Sequence, residues 1–200
     1  MPPSMAPFLS SSEFIDCHHP DVERKARALA DGAHTPHELI KRCFEFVRDD
    51  ILHSADFKLD PVTCKASEVL RHGTGYCYAK SHLLAALLRC NGVLTGLCYQ
   101  RLSSGEDGAP YCLHGLNAVH LPEWGWYRID ARGNKPGVAA DFCPPVEALA
   151  FAIRPPHERD LPEVWSEPLP AVTSVLQSCR THDEVLRRLP DIQLLPAVHG

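Results

Sequence analysis

The stretch HGTGYCYAKSHLLAALLRC, residues 72–90, places Cys77 just after Gly73 and Gly75, at the head of a run with helical spacing. A thiol in the first turn of a helix faces backbone N–H groups that have no intrahelical partner, at the positive end of the macrodipole. Both effects favour the thiolate, the form that attacks a carbonyl carbon. The same backbone N–H groups, those of Cys77 and Tyr78, are the candidates for holding the oxyanion of an attacked acyl group. Gly73 and Gly75 let the backbone turn into the helix and approach a substrate closely. Most cysteines in apolar runs simply pack as small apolar residues. For Cys77 to be a nucleophile it needs a base, and the base needs an orienter.

The segment HGLNAVHLPEWGWYRID, residues 114–130, offers both. Two β-type runs meet at Pro122-Glu123-Trp124-Gly125. With an odd-numbered loop such as Leu121 to Glu123, His114 falls opposite Asp130 and both point to one face. An even loop puts them on opposite faces. In the odd register Asp130 orients His114, and His114 serves Cys77 as base and acid. His120 has the same parity but sits beside the turn, far from Asp130, and ranks lower. Cys112 with His114 and His120, or Cys17 with His18 and His19, lacks four ligands at zinc spacing. Trp124 and Trp126 read as hairpin packing. The glycines at 73 and 75 lack the long Gly-rich run and Lys-Ser/Thr of a phosphate loop. No cofactor and no metal is expected, and no dense Asp/Glu loop suggests calcium.

The elements that must position these residues follow from periodicity. Residues 1–12 read as a loose tail. A helix over Pro20–Ala30 carries Val22, Ala26 and Leu29 on one face. Thr35-Pro36-His37-Glu38 starts a second helix with a capping box, and Leu39, Cys43, Phe46, Val47 and Ile51 form its packed face. Asp56–Thr63 reads as a loop, and Lys65–Arg71 as a short helix stopped by Gly73. Tyr76–Cys90 is a mostly buried helix ended by Asn91-Gly92. The period then changes: Leu94–Leu102, Leu116–Leu121 and Trp126–Ala131 are β-type runs. Val146–Ile153 reads as a further strand, Pro155–Pro170 as loop, and Ala171–Cys179 and His182–Leu189 as short helices. Helices first and an antiparallel sheet after are the α+β signature. One domain over residues 1–200 is expected, with its core at about 35–135 and a Pro-rich extension over 144–200.

Composition narrows the function classes. The apolar share is 44% and the charged share 22%, values of a chain that folds. A net charge of −5 with no basic block argues against nucleic acid and acidic membrane surfaces. The first residues lack the charged and apolar regions of a signal peptide. No apolar stretch reaches the roughly 20 residues of a membrane span. Nine cysteines, an odd number with no CxxC pair, point to a reducing, cytoplasmic setting.

Residues 66–100, ASEVLRHGTGYCYAKSHLLAALLRCNGVLTGLCYQ, resemble the core of the transglutaminase-like superfamily. HGLNAVHLPEWGWYRIDARGN is similar to the family's second and third blocks, and ELIKRCFEFVRDDI to its lead helix. The resemblance covers about residues 35–135. It implies a papain-like α+β core with the cysteine on a helix and its partners on adjacent strands. It also implies Cys77 as nucleophile, His114 as base and acid, and Asp130 as orienter. Leu116, Ala118 and His53 stand where the family often has an aromatic, an acid and an aromatic. The function expected is thiol-dependent acyl transfer, with a peptide, protein or small amide hydrolysed through a thioester. Amine transfer, as in transglutaminases or arylamine acetyltransferases, is the enzymatic alternative. A non-catalytic peptide- or protein-binding module on the same fold is the other.

Overall fold

The computed structural model describes residues 4–105 and 108–192. Helix α1 (Pro20–Ala30) buries Val22 and Ala26. Helix α2 (Pro36–Glu45) starts at Thr35, whose hydroxyl accepts the Glu38 N–H at 3.1 Å. The Glu38 carboxylate in turn accepts the His34 N–H at 2.7 Å, one residue earlier than a capping box requires. The helix does not run straight to Ile51. Residues Phe46–Asp50 form a π-type turn, and the buried stripe runs over Ile40, Cys43, Phe44, Val47 and Ile51. Leu39 and Phe46 are left only partly buried.

Strand β1 (Leu52–His53), helix α3 (Ser54–Phe57), helix α4 (Ala66–His72) and strand β2 (Thr74–Gly75) follow. The region expected to be loop from Asp56 therefore opens inside a helical turn. Gly73, at φ 65°, ends α4 and turns the chain into β2. β1 and β2 pair in parallel, which sets His53 beside Gly75. Helix α5 (Cys77–Cys90) then enters the centre of the molecule, with residues 77–89 all buried.

Strands β3 (Thr95–Gly105), β4 (Gly108–Leu121) and β5 (Gly125–Ile129) form an antiparallel meander. β4 begins well before Leu116, the expected start, because β3 pairs it from Gly108 onward. Strands β6 (Asp141–Cys143) and β7 (Val146–Ala148) form a separate hairpin. The strand expected over Val146–Ile153 is therefore short: it has a partner only where β6 lies. Strand β8 (Arg159–Asp160) adds to the outer edge of β3, giving the sheet order β5-β4-β3-β8. Helices α6 (Pro170–Ser178) and α7 (His182–Leu186) complete the described chain, and Thr181 caps α7.

The fold is α+β, with α5 packed on an antiparallel sheet. Odd-numbered residues of the sheet, including Leu97, Leu113, Val119 and Ile129, join the leucines of α5 in the main core. Even-numbered Cys98, Leu116 and Ala118 form a second cluster with Trp126, Leu149 and Val164. The region expected as a loose tail is seated where it is described. Phe8 packs on Trp126 at 4.8 Å, and the Ser10 carbonyl accepts from Arg89 at 2.9 Å.

Candidate active site

Cys77 is the first residue of α5, and Tyr76 before it offers no side-chain cap. The Tyr76 hydroxyl is committed elsewhere, donating to the His182 carbonyl at 2.6 Å. The N–H groups of Cys77 and Tyr78 therefore stay free of intrahelical partners beside the sulfur. Lys80 N–H is the one that closes the first helical bond, onto the Tyr76 carbonyl at 2.9 Å.

The sulfur reaches the sheet at its edge. β5 pairs β4 from Leu121↔Gly125 to Asn117↔Ile129 and then leaves. The outward N–H of Gly115, which would otherwise meet β5, donates to Cys77 Sγ at 3.5 Å. Gly115 permits this approach: a Cβ there would stand 3.0 Å from Tyr78 Cα. The Tyr78 hydroxyl donates to the Leu113 carbonyl and fastens the first turn of α5 to β4.

The hairpin has an odd loop, but it is Pro122–Trp124 rather than Leu121–Glu123. The register slips by two residues from the expected one, so His114 is diagonal to Asp130 instead of opposite it. Parity is kept and the two side chains share a face. His114 Nε2 meets Asp130 Oδ2 at 2.7 Å, which leaves Nδ1 as the nitrogen for the sulfur. Burial opposes a charge on His114, but the Asp130 carboxylate and the Cys77 sulfur outweigh it and push its pKa up to about 10. Asp130 is fully buried, which by itself would favour its neutral form. His114 and two backbone N–H groups reverse this and hold the carboxyl below its usual range. Those donors are Arg132 N–H to Oδ1 and Ala150 N–H to Oδ2, each at 3.1 Å. His120 stacks edge-on against Trp126 at 5.5 Å, at the turn end of the hairpin, and takes no part.

A cavity of about 530 Å³ opens over Cys77 and His114. Three of its residues were not singled out as site residues by sequence. Phe151 sets its ring perpendicular to His114 at 5.0 Å, and Arg132 lies over Phe151 while binding Asp56 at 2.7 and 3.0 Å. His53 is buried beside Tyr76, its Nδ1 without a hydrogen-bond partner among the described residues. Burial, then the nearby Arg132, lowers its pKa well below the ordinary value, so it is a neutral imidazole in the cleft. The only sequence signal for His53 is its place before the Cys block.

Lys80 lies one turn into α5 and is also buried. Its ammonium donates to the carbonyls of Arg48 and Ile51, which the π-type turn leaves open. Burial and Arg132 bring its pKa down to about 7, against the pull of Asp130 and Asp49.

Residues 23–131 match the model of the transglutaminase-like superfamily. Among solved structures, one described as a "putative cysteine protease" from Cytophaga hutchinsonii aligns with a TM-score of 0.53 at 14% identity. The alignment covers 66% of this chain and 43% of that one. The periplasmic domain of TgpA from Pseudomonas aeruginosa aligns at 17% identity with a TM-score of 0.49, over 66% of this chain and 47% of that one. The chain thus spans less than half the length of either. The first of these likenesses is of fold alone. No curated protein gives a significant match.

Proposed function

The chain belongs to the transglutaminase-like superfamily, and from that premise we propose that it is a thiol-dependent acyl-transfer enzyme that hydrolyses an amide or peptide bond. One observation carries the reading: a thiol at the first position of a buried helix, beside a histidine held charged by a buried aspartate. In the acylation step Cys77 Sγ attacks the substrate carbonyl and the S–C bond forms. The oxygen takes up the negative charge and is met by the N–H groups of Cys77 and Tyr78. His114 gives its proton to the departing amine as the C–N bond breaks, and a thioester remains. His114, now neutral, takes a proton from water as water attacks the thioester. The acid leaves, and proton and thiolate are restored. Asp130 keeps the imidazole oriented throughout and stabilises its charged form.

Water is the acceptor favoured here, because hydrolysis requires no second substrate site. The test is intact mass spectrometry after mixing with an amide whose acyl group, once transferred to Cys77, forms a slowly hydrolysed thioester. Cys77 should gain one acyl group, released with time as free acid. Added primary amines should not divert it. A mass gain absent in wild type, or present in Cys77→Ser, would refute the reading, and diversion to amine would establish the transferase alternative.

A further inference from the structure

The charged groups that line the cleft are paired within the protein. Arg132 holds Asp56 in a bidentate pair. Glu158, almost fully buried, accepts from the Arg154 guanidinium, the Arg154 N–H and the Ser103 N–H. His114 is bound to Asp130. Each of these charges already has an opposite partner within the protein, with Asp56 shared by Lys135 and Arg154 standing exposed at the rim. What the cleft offers instead is apolar surface from Leu102, Leu113, Phe151, Leu186 and Leu189.

Three of these, Phe151, Leu186 and Leu189, come from outside the family-matched residues 23–131, and the two leucines lie on one segment. The segment that carries them is fastened on both sides of the cleft. At one end the His182 carbonyl accepts from Tyr76, the residue before the nucleophile. At the other, Arg101 grips Asp191 through two bonds of 2.7 Å. Between them the Leu113 N–H donates to the Pro190 carbonyl at 2.7 Å. The outer edge of β4 is thereby occupied at Leu113, the next outward-facing residue after Gly115, and an extended main chain cannot pair there. Leu186 remains 44% exposed, and of the large apolar side chains left exposed among the described residues it alone faces this cavity. An apolar ligand would cover it.

We propose that the Cys77 cleft is an acyl-binding site for a neutral, apolar acyl group, and that Leu186 and Leu189 form the wall that selects it. This rests on the thiol acyl-transfer reading and narrows its substrate class. The site gains binding with each methylene it covers, by up to about fourfold apiece, and gains nothing from a charge.

The test uses the 4-nitroanilides of acetate, butanoate and hexanoate, with succinate and 6-aminohexanoate as charged counterparts. Wild type should prefer hexanoyl to acetyl in kcat/KM by about tenfold or more. It should turn over the charged pair more slowly than hexanoyl by a similar factor. Leu186→Ser and Leu189→Ser should each reduce the hexanoyl-to-acetyl ratio several-fold. Arg101→Ala, which unfastens the segment, should do the same through a raised KM for hexanoyl. Val146→Ser, at an exposed residue that does not line this cavity, should leave the ratio unchanged. Turnover lost in Cys77→Ser but without apolar preference, or a ratio unmoved by both leucine variants, overturns this proposal alone. Turnover absent in wild type, or surviving Cys77→Ser, overturns the thiol reading and this proposal with it.

Discussion

Asp130 accepts three hydrogen bonds in a site cut off from water, and it is the residue on which the charge state of His114 depends. Asp130→Asn keeps the size and removes the charge. We expect it to lower turnover by about a thousandfold or more while leaving the fold intact, as measured by single-turnover kinetics and circular dichroism. The linkage to pH has a definite sign. His114 titrates at about 10 folded and near 6.5 unfolded, so its contribution to stability is complete below about pH 6.5 and is lost as pH rises through about 10. Lys80 runs the other way: its folded pKa of about 7 lies below the ordinary value of about 10.4, so its contribution improves over the same range. Denaturant unfolding of Lys80→Met should therefore show stability falling between about pH 6.5 and 8, below the range in which unfolded thiols ionise, and adding His114→Gln should flatten that part of the fall. A slope over that range that persists without His114 would contradict the assignment.

At the scale of elements, the site depends on how closely α5 approaches β4. Gly115→Ala would put a methyl against the Tyr78 backbone. It should cost about 1–3 kcal/mol by thermal unfolding and slow acylation by displacing Cys77 from its partners. Lys80→Met should cost a similar amount, about 1–3 kcal/mol, because it leaves the Arg48 and Ile51 carbonyls unpaired in a buried site. Much of this level is legible in sequence. Thr35 and Glu38 mark the start of α2, the apolar spacing from Ala79 to Cys90 marks α5, and hairpin parity brings His114 and Asp130 to one face. Parity survives a two-residue slip in register, which is why the pair could be found although the loop was misplaced. Lys80 was not legible. A lysine in a leucine-rich helix reads as its solvent stripe, and its partners are carbonyls released by a π-type turn that has no residue-type signature here. His53 was legible only by its place before the Cys block, since a two-residue parallel pairing has no periodicity to detect.

Across the whole molecule, the chain after β5 closes the structure around the site. Trp165 exchanges two main-chain bonds with Leu97 at the outer edge of β3, and Leu149 and Val164 cover the sheet face that α5 does not. Bridges and two- or three-residue strands among prolines carry no pattern, so this coverage could not be read in advance. Arg89 links three parts of the chain, donating to the carbonyls of Thr95, Ser10 and Ser166 at 3.0, 2.9 and 2.7 Å. Arg89→Met should cost about 2–5 kcal/mol and unfasten both terminal segments, detectable as faster amide exchange there. The chain also contains its own reference thiols. Burial pushes Cys43, Cys64 and Cys98 up to about 12 and Cys112 to about 11, so these stay protonated, while Cys143 is exposed. We propose that Cys77 is a nucleophile made by its neighbours, and iodoacetamide labelling at about pH 6, with each cysteine quantified by peptide mass spectrometry, checks this. Cys77 should be alkylated at least about tenfold faster than Cys143 and lose this advantage in His114→Ala. Cys77 reacting no faster than Cys143, or equally fast without His114, would contradict it.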